Sequence, residues 1–229
     1  MGFKILEWAG IDGKGVTSFY GESATGKTTF SLACASEALK NGQKVVYVDT
    51  QHNFSPERLM QICNCDKKML ENAIVVSPKN FSDQQHFLER LRNGINKTVG
   101  LIIIDPISTF YRLEFAKKDS KPYMISRNLG VQMSYLNDMA RKHSIPVIVT
   151  AEALSDVDAN QETTMSGGNI IDHMCKNVIE LKRYDDALKL AILKKPKPKK
   201  EIFFSIVNEG ISIMPEDMGK KAPNINARS

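Results

Sequence analysis

Residues 21–28 read Gly21-Glu22-Ser23-Ala24-Thr25-Gly26-Lys27-Thr28, a match to G-x-x-x-x-G-K-[ST]. The chemistry of such a loop is phosphate binding. Its glycines let backbone N–H groups curl around phosphate oxygens, its lysine brings a cation to the β and γ phosphates, and its hydroxyl reaches Mg²⁺. The candidate nucleotide-binding residues are therefore Gly21, Glu22, Ser23, Ala24, Thr25, Gly26, Lys27, Thr28 and Thr29, with Lys27 also a candidate catalytic group. Thr28 is one candidate metal ligand, and Asp105 is the other. Leu101-Ile102-Ile103-Ile104 precede Asp105 and Pro106 follows it. An acid that ends so apolar a strand sits at the ligand-binding edge of an open sheet, where it can hold Mg²⁺ or a metal-bound water. The ligand implied is ATP with Mg²⁺.

A phosphate loop works only between a strand and a helix. The sequence supplies both: 15–20 reads as a short buried strand, and 29–39 is rich in Ala and Leu without Pro or Gly and reads as a helix ended by Asn41-Gly42. Further strands are expected at 44–49, 73–76, 100–105 and 145–150. Ser55-Pro56 opens a short helix with a cap residue and a first-turn proline. Ser82 is expected to cap a helix running to about Asn93. A long helix is expected over 126–142, where Leu129, Met133, Leu136 and Ala140 share one face. Strands that alternate with helices imply a parallel sheet covered on both faces. After about Gly168 the pattern changes. Segments 178–182, 188–193 and 202–207 lie close together with turn-like gaps and read as an antiparallel extension. The fold class is thus α/β, with one core over 1–214 and a mobile tail over 215–229.

The bulk composition is that of an ordinary globular chain. The 229 residues are 42% hydrophobic and 25% charged, enough for one α/β domain with a full core. No run approaches a membrane span, and the N-terminus lacks the apolar core of a signal peptide, so a cytoplasmic location is expected. The four cysteines form no disulfide framework. Cys63 and Cys65 make a C-x-C without a second ligand pair, and the four histidines show no metal spacing. A net charge of +5 is compatible with nucleic acid without requiring it.

Several segments together resemble the RecA/RadA recombinase superfamily, and especially its short archaeal RadB-like paralogs. They are Asp49-Thr50-Gln51-His52-Asn53-Phe54-Ser55-Pro56-Glu57-Arg58, Asp105-Pro106-Ile107-Ser108-Thr109-Phe110-Tyr111-Arg112, Ser155-Asp156-Val157-Asp158 and Gly167-Gly168-Asn169. The resemblance runs from about residue 13 to 214. It implies a RecA-like core and a role assisting homologous recombination or DNA repair. The stretch before Gly21 leaves no room for the helix-hairpin-helix DNA-binding domain of full recombinases.

The chain departs from that family at two catalytic positions. Where relatives carry an acid that takes a proton from the attacking water, this chain has Gln51. Where they carry a glutamine that senses the γ-phosphate, it has Glu152, within Thr150-Ala151-Glu152-Ala153. An amide can orient a water but cannot accept its proton at neutral pH. Two readings follow. Either ATP is hydrolysed slowly and serves as a switch, or Glu152 replaces the lost base. The first is favoured, because base catalysis demands close placement.

The resemblance also gives a meaning to the run Lys194-Lys195-Pro196-Lys197-Pro198-Lys199-Lys200, read as a hairpin loop. Lys194, Lys195 and Lys197 are candidates to reach the nucleotide of a neighbouring protomer, which requires an oligomer or a partner of the same fold, such as a RadA-type recombinase. The first DNA loop of the family would fall near 114–122, with Lys117, Lys118 and Lys121 to neutralise phosphates. The second, near 155–166, carries Asp156, Asp158 and Glu162, no Lys or Arg, and no stacking aromatic. Weak, salt-sensitive binding of single-stranded DNA is the expectation. A rival function is a KaiC-like ATP-dependent switch that works through protein partners without DNA. A nucleotide-dependent kinase is disfavoured, since nothing resembles an acceptor-binding lid.

Overall fold

The structure, a computed structural model, describes residues 5–154 and 164–214. Most of the second DNA loop and the whole tail expected at 215–229 lie outside these residues. The elements run α1 (Ile5–Trp8), β1 (Val16–Gly21), α2 (Lys27–Lys40), β2 (Lys44–Asp49), α3 (Pro56–Cys63), α4 (Lys67–Leu70), β3 (Ala73–Val76), α5 (Phe81–Gly94) and β4 (Val99–Asp105). Then follow α6 (Ser108–Phe115), α7 (Pro122–His143), β5 (Val147–Leu154), β6 (Thr164–Met165), α8 (Gly168–Met174), β7 (Cys175–Arg183), β8 (Leu188–Lys195), β9 (Lys200–Val207) and β10 (Gly210–Ile213).

The main sheet has the order β10-β9-β8-β7-β1-β5-β4-β2-β3, with β6 paired to β5. From β3 to β7 every neighbour is parallel. The antiparallel extension is present, but it begins one strand later than the sequence suggested. The segment around Val178–Lys182 runs parallel to β1, and the chain reverses at β8, β9 and β10, with the two-residue β6 also antiparallel to β5. The cause lies in α8, which carries the chain back to the start of the sheet before β7. Seven residues with few apolar repeats gave little periodic signal for that helix.

Alternation along the strands sends side chains into two cores. On one face Val16, Tyr20, Ile102, Ile104, Val147 and Val149 pack under α5, α6, α7 and α8. On the other, Phe19, Val45, Tyr47, Leu101, Ile103 and Ile148 pack under α1, α2, α3 and α4. The antiparallel strands feed the second core through Phe204, whose ring meets Phe30 of α2 edge-on at 4.9 Å. The central strands are buried on both faces, which explains why they read as unbroken aliphatic runs.

Helix boundaries follow local capping chemistry. Ser55 accepts the Arg58 N–H at 3.0 Å and Pro56 takes the first helical position of α3, as expected. The long helix α7 starts four residues earlier than its apolar period indicated, because Pro122 provides a ready first turn. Its stripe of Leu129, Met133, Leu136 and Ala140 is fully buried. The cap of α5 is Asn80, not Ser82. Asn80 accepts the Asp83 N–H at 2.9 Å, and this lets Phe81 open the helix and bury its ring. Among the described residues no helix is long and apolar enough to cross a membrane.

Phe204 ties the antiparallel strands to the helix that carries the phosphate loop. Phe204→Ala should cost about 3–5 kcal/mol, read as a lowered midpoint in urea unfolding with the slope unchanged.

Candidate nucleotide site

The phosphate loop leaves the end of β1 and turns directly into α2. Two of its positions demand glycine. A Cβ on Gly21 would lie 2.2 Å from the Leu181 carbonyl oxygen of β7, and Gly26 adopts φ +102. The first helical hydrogen bond of α2 runs from the Phe30 N–H to the Gly26 carbonyl at 2.9 Å. The N–H groups of Lys27, Thr28 and Thr29 therefore open the helix without intrahelical partners, at the positive end of its dipole. This is an arrangement built for an anion. Thr25 braces the loop from inside by donating to the Glu22 carbonyl at 2.9 Å. Ser23, Ala24 and Thr28 face solvent.

The Lys27 ammonium donates to the Gly21 and Glu22 carbonyls, at 2.9 and 2.7 Å. Burial lowers its pKa below the ordinary lysine value, while the charges of Asp105 and Glu22 pull the other way. A cation that is partly desolvated and points at the loop is poised for phosphate charge.

Asp105 ends β4 next to Asp49, which ends β2 in register with it. Its carboxylate is buried and held by two hydroxyls. Tyr47 donates to Oδ2 at 2.5 Å, and Thr150 donates to Oδ1. Burial, and then the negative charge of Asp105, push the Tyr47 phenol well above its ordinary value, so it stays a donor. Each carboxylate oxygen keeps a further lone pair. The donor set suits a metal-bound water on Asp105 and the metal itself on Thr28, so these residues fit Mg²⁺. Asp49 turns to the chain that follows it, accepting the Gln51 and Phe54 N–H groups at 3.2 and 2.8 Å.

The two departures from the family pattern meet in space. Glu152 on β5 lies in register with Gly21, and its Oε1 accepts from Gln51 Nε2 at 3.1 Å. Its Oε2 forms an ion pair with Arg112 of α6. Its backbone is fixed as well: its N–H donates to Ser108 Oγ at 3.2 Å, and its carbonyl accepts the Ser166 N–H at 2.8 Å. Sequence reading missed the roles of Tyr47, Thr150, Ser108 and Arg112. A phenol and a hydroxyl inside otherwise aliphatic strands were the available signals.

The basic hairpin does not join this cluster. Lys195 pairs with Val178, near the start of β7, whereas the phosphate loop faces Leu181 near its end. Lys194 Nζ lies 3.5 Å from the buried carboxylate of Glu180, and Lys195 Nζ donates to the Asp172 carbonyl at 2.9 Å. Lys197 lines a cavity of about 340 Å³ with Trp8, Asp12 and Pro198. In the other basic loop Lys117 pairs with Glu114 at 2.6 Å, and Lys118 and Lys121 are exposed. Tyr123, which the sequence did not single out, follows them at 78% exposure. Among the described residues no cluster of His, Cys, Asp and Glu could hold a metal by itself.

Phosphate loop, strand-end acid and sheet order define a RecA-like nucleotide-binding core. A family model, Rad51, matches residues 3–214, and the chain belongs to that family. It is similar to the DNA repair and recombination protein RadB of Methanococcus maripaludis, 30% identical over 89% of this chain and 94% of that one. RadB of Thermoplasma volcanium is 32% identical over 89% and 86%. A solved structure described as the RadB recombinase superposes with TM-score 0.75 at 28% identity, covering 93% of this chain and 97% of the other.

Lys27→Ala should weaken MgATP binding by about 10- to 100-fold, since hydrogen bonds to charged groups are worth roughly 1.5–3 kcal/mol. Titration with a fluorescent ATP analogue, alongside a melting curve to show that the variant folds, checks it.

Proposed function

We propose that this chain is an ATP-binding recombinase paralog of the RadB type that assists homologous recombination and DNA repair, with slow ATP hydrolysis and modest DNA binding. The observation that carries the reading is the contact between Gln51 and Glu152 beside an intact phosphate loop. Binding machinery is complete: the loop amides, Lys27, Thr28 and Asp105 grip MgATP. The base position is not. Gln51 can only orient a water, and both oxygens of Glu152 are already engaged by Gln51 and Arg112. Bound MgATP supplies the electrophilic phosphorus and its charge-neutralising metal. The chain contributes grip and orientation, and little proton transfer.

Such a protein works as a nucleotide-controlled assembly factor. Its core spans residues 1–214, and it acts in the cytoplasm with a RadA-type recombinase or a second copy of its own fold. Lys195 and Lys197 lie toward the start of β7, which favours contact with a neighbour's nucleotide, while Lys194 pairs with Glu180, one residue before the loop-facing Leu181. Single-stranded DNA is engaged through Lys118 and Lys121, with the exposed Tyr123 ring as a stacking surface. The similarity to RadB DNA repair and recombination proteins favours recombination over the KaiC-like switch.

Two measurements test this. Gln51→Glu should raise ATP turnover by about a hundredfold, the lower end of the range for general-base catalysis. Loss of substantial wild-type turnover in Glu152→Gln would show instead that Glu152 already serves as base. For DNA, affinity for an oligodeoxythymidylate should fall steeply between low and physiological salt. An affinity that ignores salt overturns the role given to the lysines.

A further inference from the structure

We propose that Arg112 is a positioning residue that keeps Glu152 from acting as the base, and that phosphodiester oxygens which draw Arg112 away release it. The inference rests on the ATP-binding reading above.

Glu152 is the one side-chain carboxylate in register with the phosphate loop on the adjoining strand β5. Its main chain is pinned by Ser108 Oγ and the Ser166 N–H, so its strand position does not depend on Arg112. Only its carboxylate is free to turn, and that group is held by the Arg112 guanidinium on one oxygen and the Gln51 amide on the other. A guanidinium beside a carboxylate favours its charged form and so makes it a weaker proton acceptor toward water. Gln51 alone is a weaker restraint, since its amide is neutral.

Arg112 is accessible to a competitor. Its side chain is 49% exposed, while that of Glu152 is 28% exposed. It lies on α6, whose end leads straight into the segment with Lys118, Lys121 and Tyr123. A polyanion held by those residues brings phosphate oxygens to the same surface. Guanidinium groups take phosphate in the same forked geometry as carboxylate, so the exchange of partners needs no new kind of contact. The guanidinium is half exposed on its outer side, so a phosphate can compete for it without any opening of the fold.

Once released, Glu152 accepts a proton from water as the water oxygen bonds to the γ-phosphorus. The bond from that phosphorus to the bridging oxygen breaks, and its electron pair leaves with ADP. The proton then passes from Glu152 to solvent, and ADP and inorganic phosphate depart. Hydrolysis is thereby made conditional on the same polyanion that the basic segment binds.

Turnover of the full chain with MgATP is measured with and without an oligodeoxythymidylate. Arg112→Gln should raise kcat without DNA by about tenfold or more, with KM for ATP little changed and little further gain on adding DNA. Arg112→Lys, which keeps the cation, should stay near the wild-type rate. The double variant Arg112→Gln with Glu152→Gln should lose the gain. The pH profile of Arg112→Gln should show an acid limb that the double variant lacks, a signature that a merely structural arginine would not give. Independently of any Arg112 variant, stimulation of the wild-type backbone by DNA should vanish in Glu152→Gln. An Arg112→Gln protein that binds the fluorescent ATP analogue normally but turns over no faster overturns the inference, as does a gain that survives in the double variant. A wild type that fails to bind the analogue overturns the ATP-binding reading first.

Discussion

A buried carboxylate with two hydroxyl partners organises this molecule. Asp105 on β4 is held by Tyr47 from β2 on one side and by Thr150 from β5 on the other. Burying a charge without partners costs several kcal/mol, so the three strands are locked in order and register by the need to satisfy it. A slip of one residue in either neighbour would turn the hydroxyl to the opposite face of the sheet. All three groups project from the face that α2 covers, which is also the face of the phosphate loop. The interaction that satisfies the buried acid thereby also holds it on the phosphate-loop side of the sheet, where the proposed function needs it.

On the proposed function, the same geometry separates firm grip on a nucleotide from its slow cleavage. Grip comes from main-chain N–H groups at the start of a helix, from Lys27 and from Asp105, and these depend on backbone path and sheet register. Cleavage depends on one unencumbered proton acceptor. The acid has moved from the position of Gln51 to that of Glu152, and there it meets two donors. Binding and turnover are thus set by different residues on different strands.

Much of this was legible in the sequence, because the relevant signals were local. The phosphate loop, the apolar strand ended by Asp105, the proline-started helix α3 and the buried stripe of α7 each follow from spacing within one element. The less periodic pieces were harder. The cap of α5 moved from Ser82 to Asn80, since either polar side chain could serve and only the burial of Phe81 chooses between them. The strand β7 gave an antiparallel impression because the strands after it do, and its true direction depends on the short helix α8.

The sequence by itself determined the phosphate loop and the alternation of strands and helices through the parallel part of the sheet, because those signals are residue types at fixed spacings. The family resemblance added the reading of Gln51 and Glu152 as an acid lost and an acid gained. Tertiary structure alone decided what the exchange means. Gln51 and Glu152 are separated by 101 positions and meet only because β2, β4 and β5 lie side by side. Arg112 joins them from a helix whose short apolar pattern carried no hint of its partner. The basic hairpin was expected to serve a neighbour's nucleotide, and the reversal at β8 turns Lys195 toward the start of β7. A carboxylate's chemistry is set by the donors around it, and those donors come from segments remote in sequence.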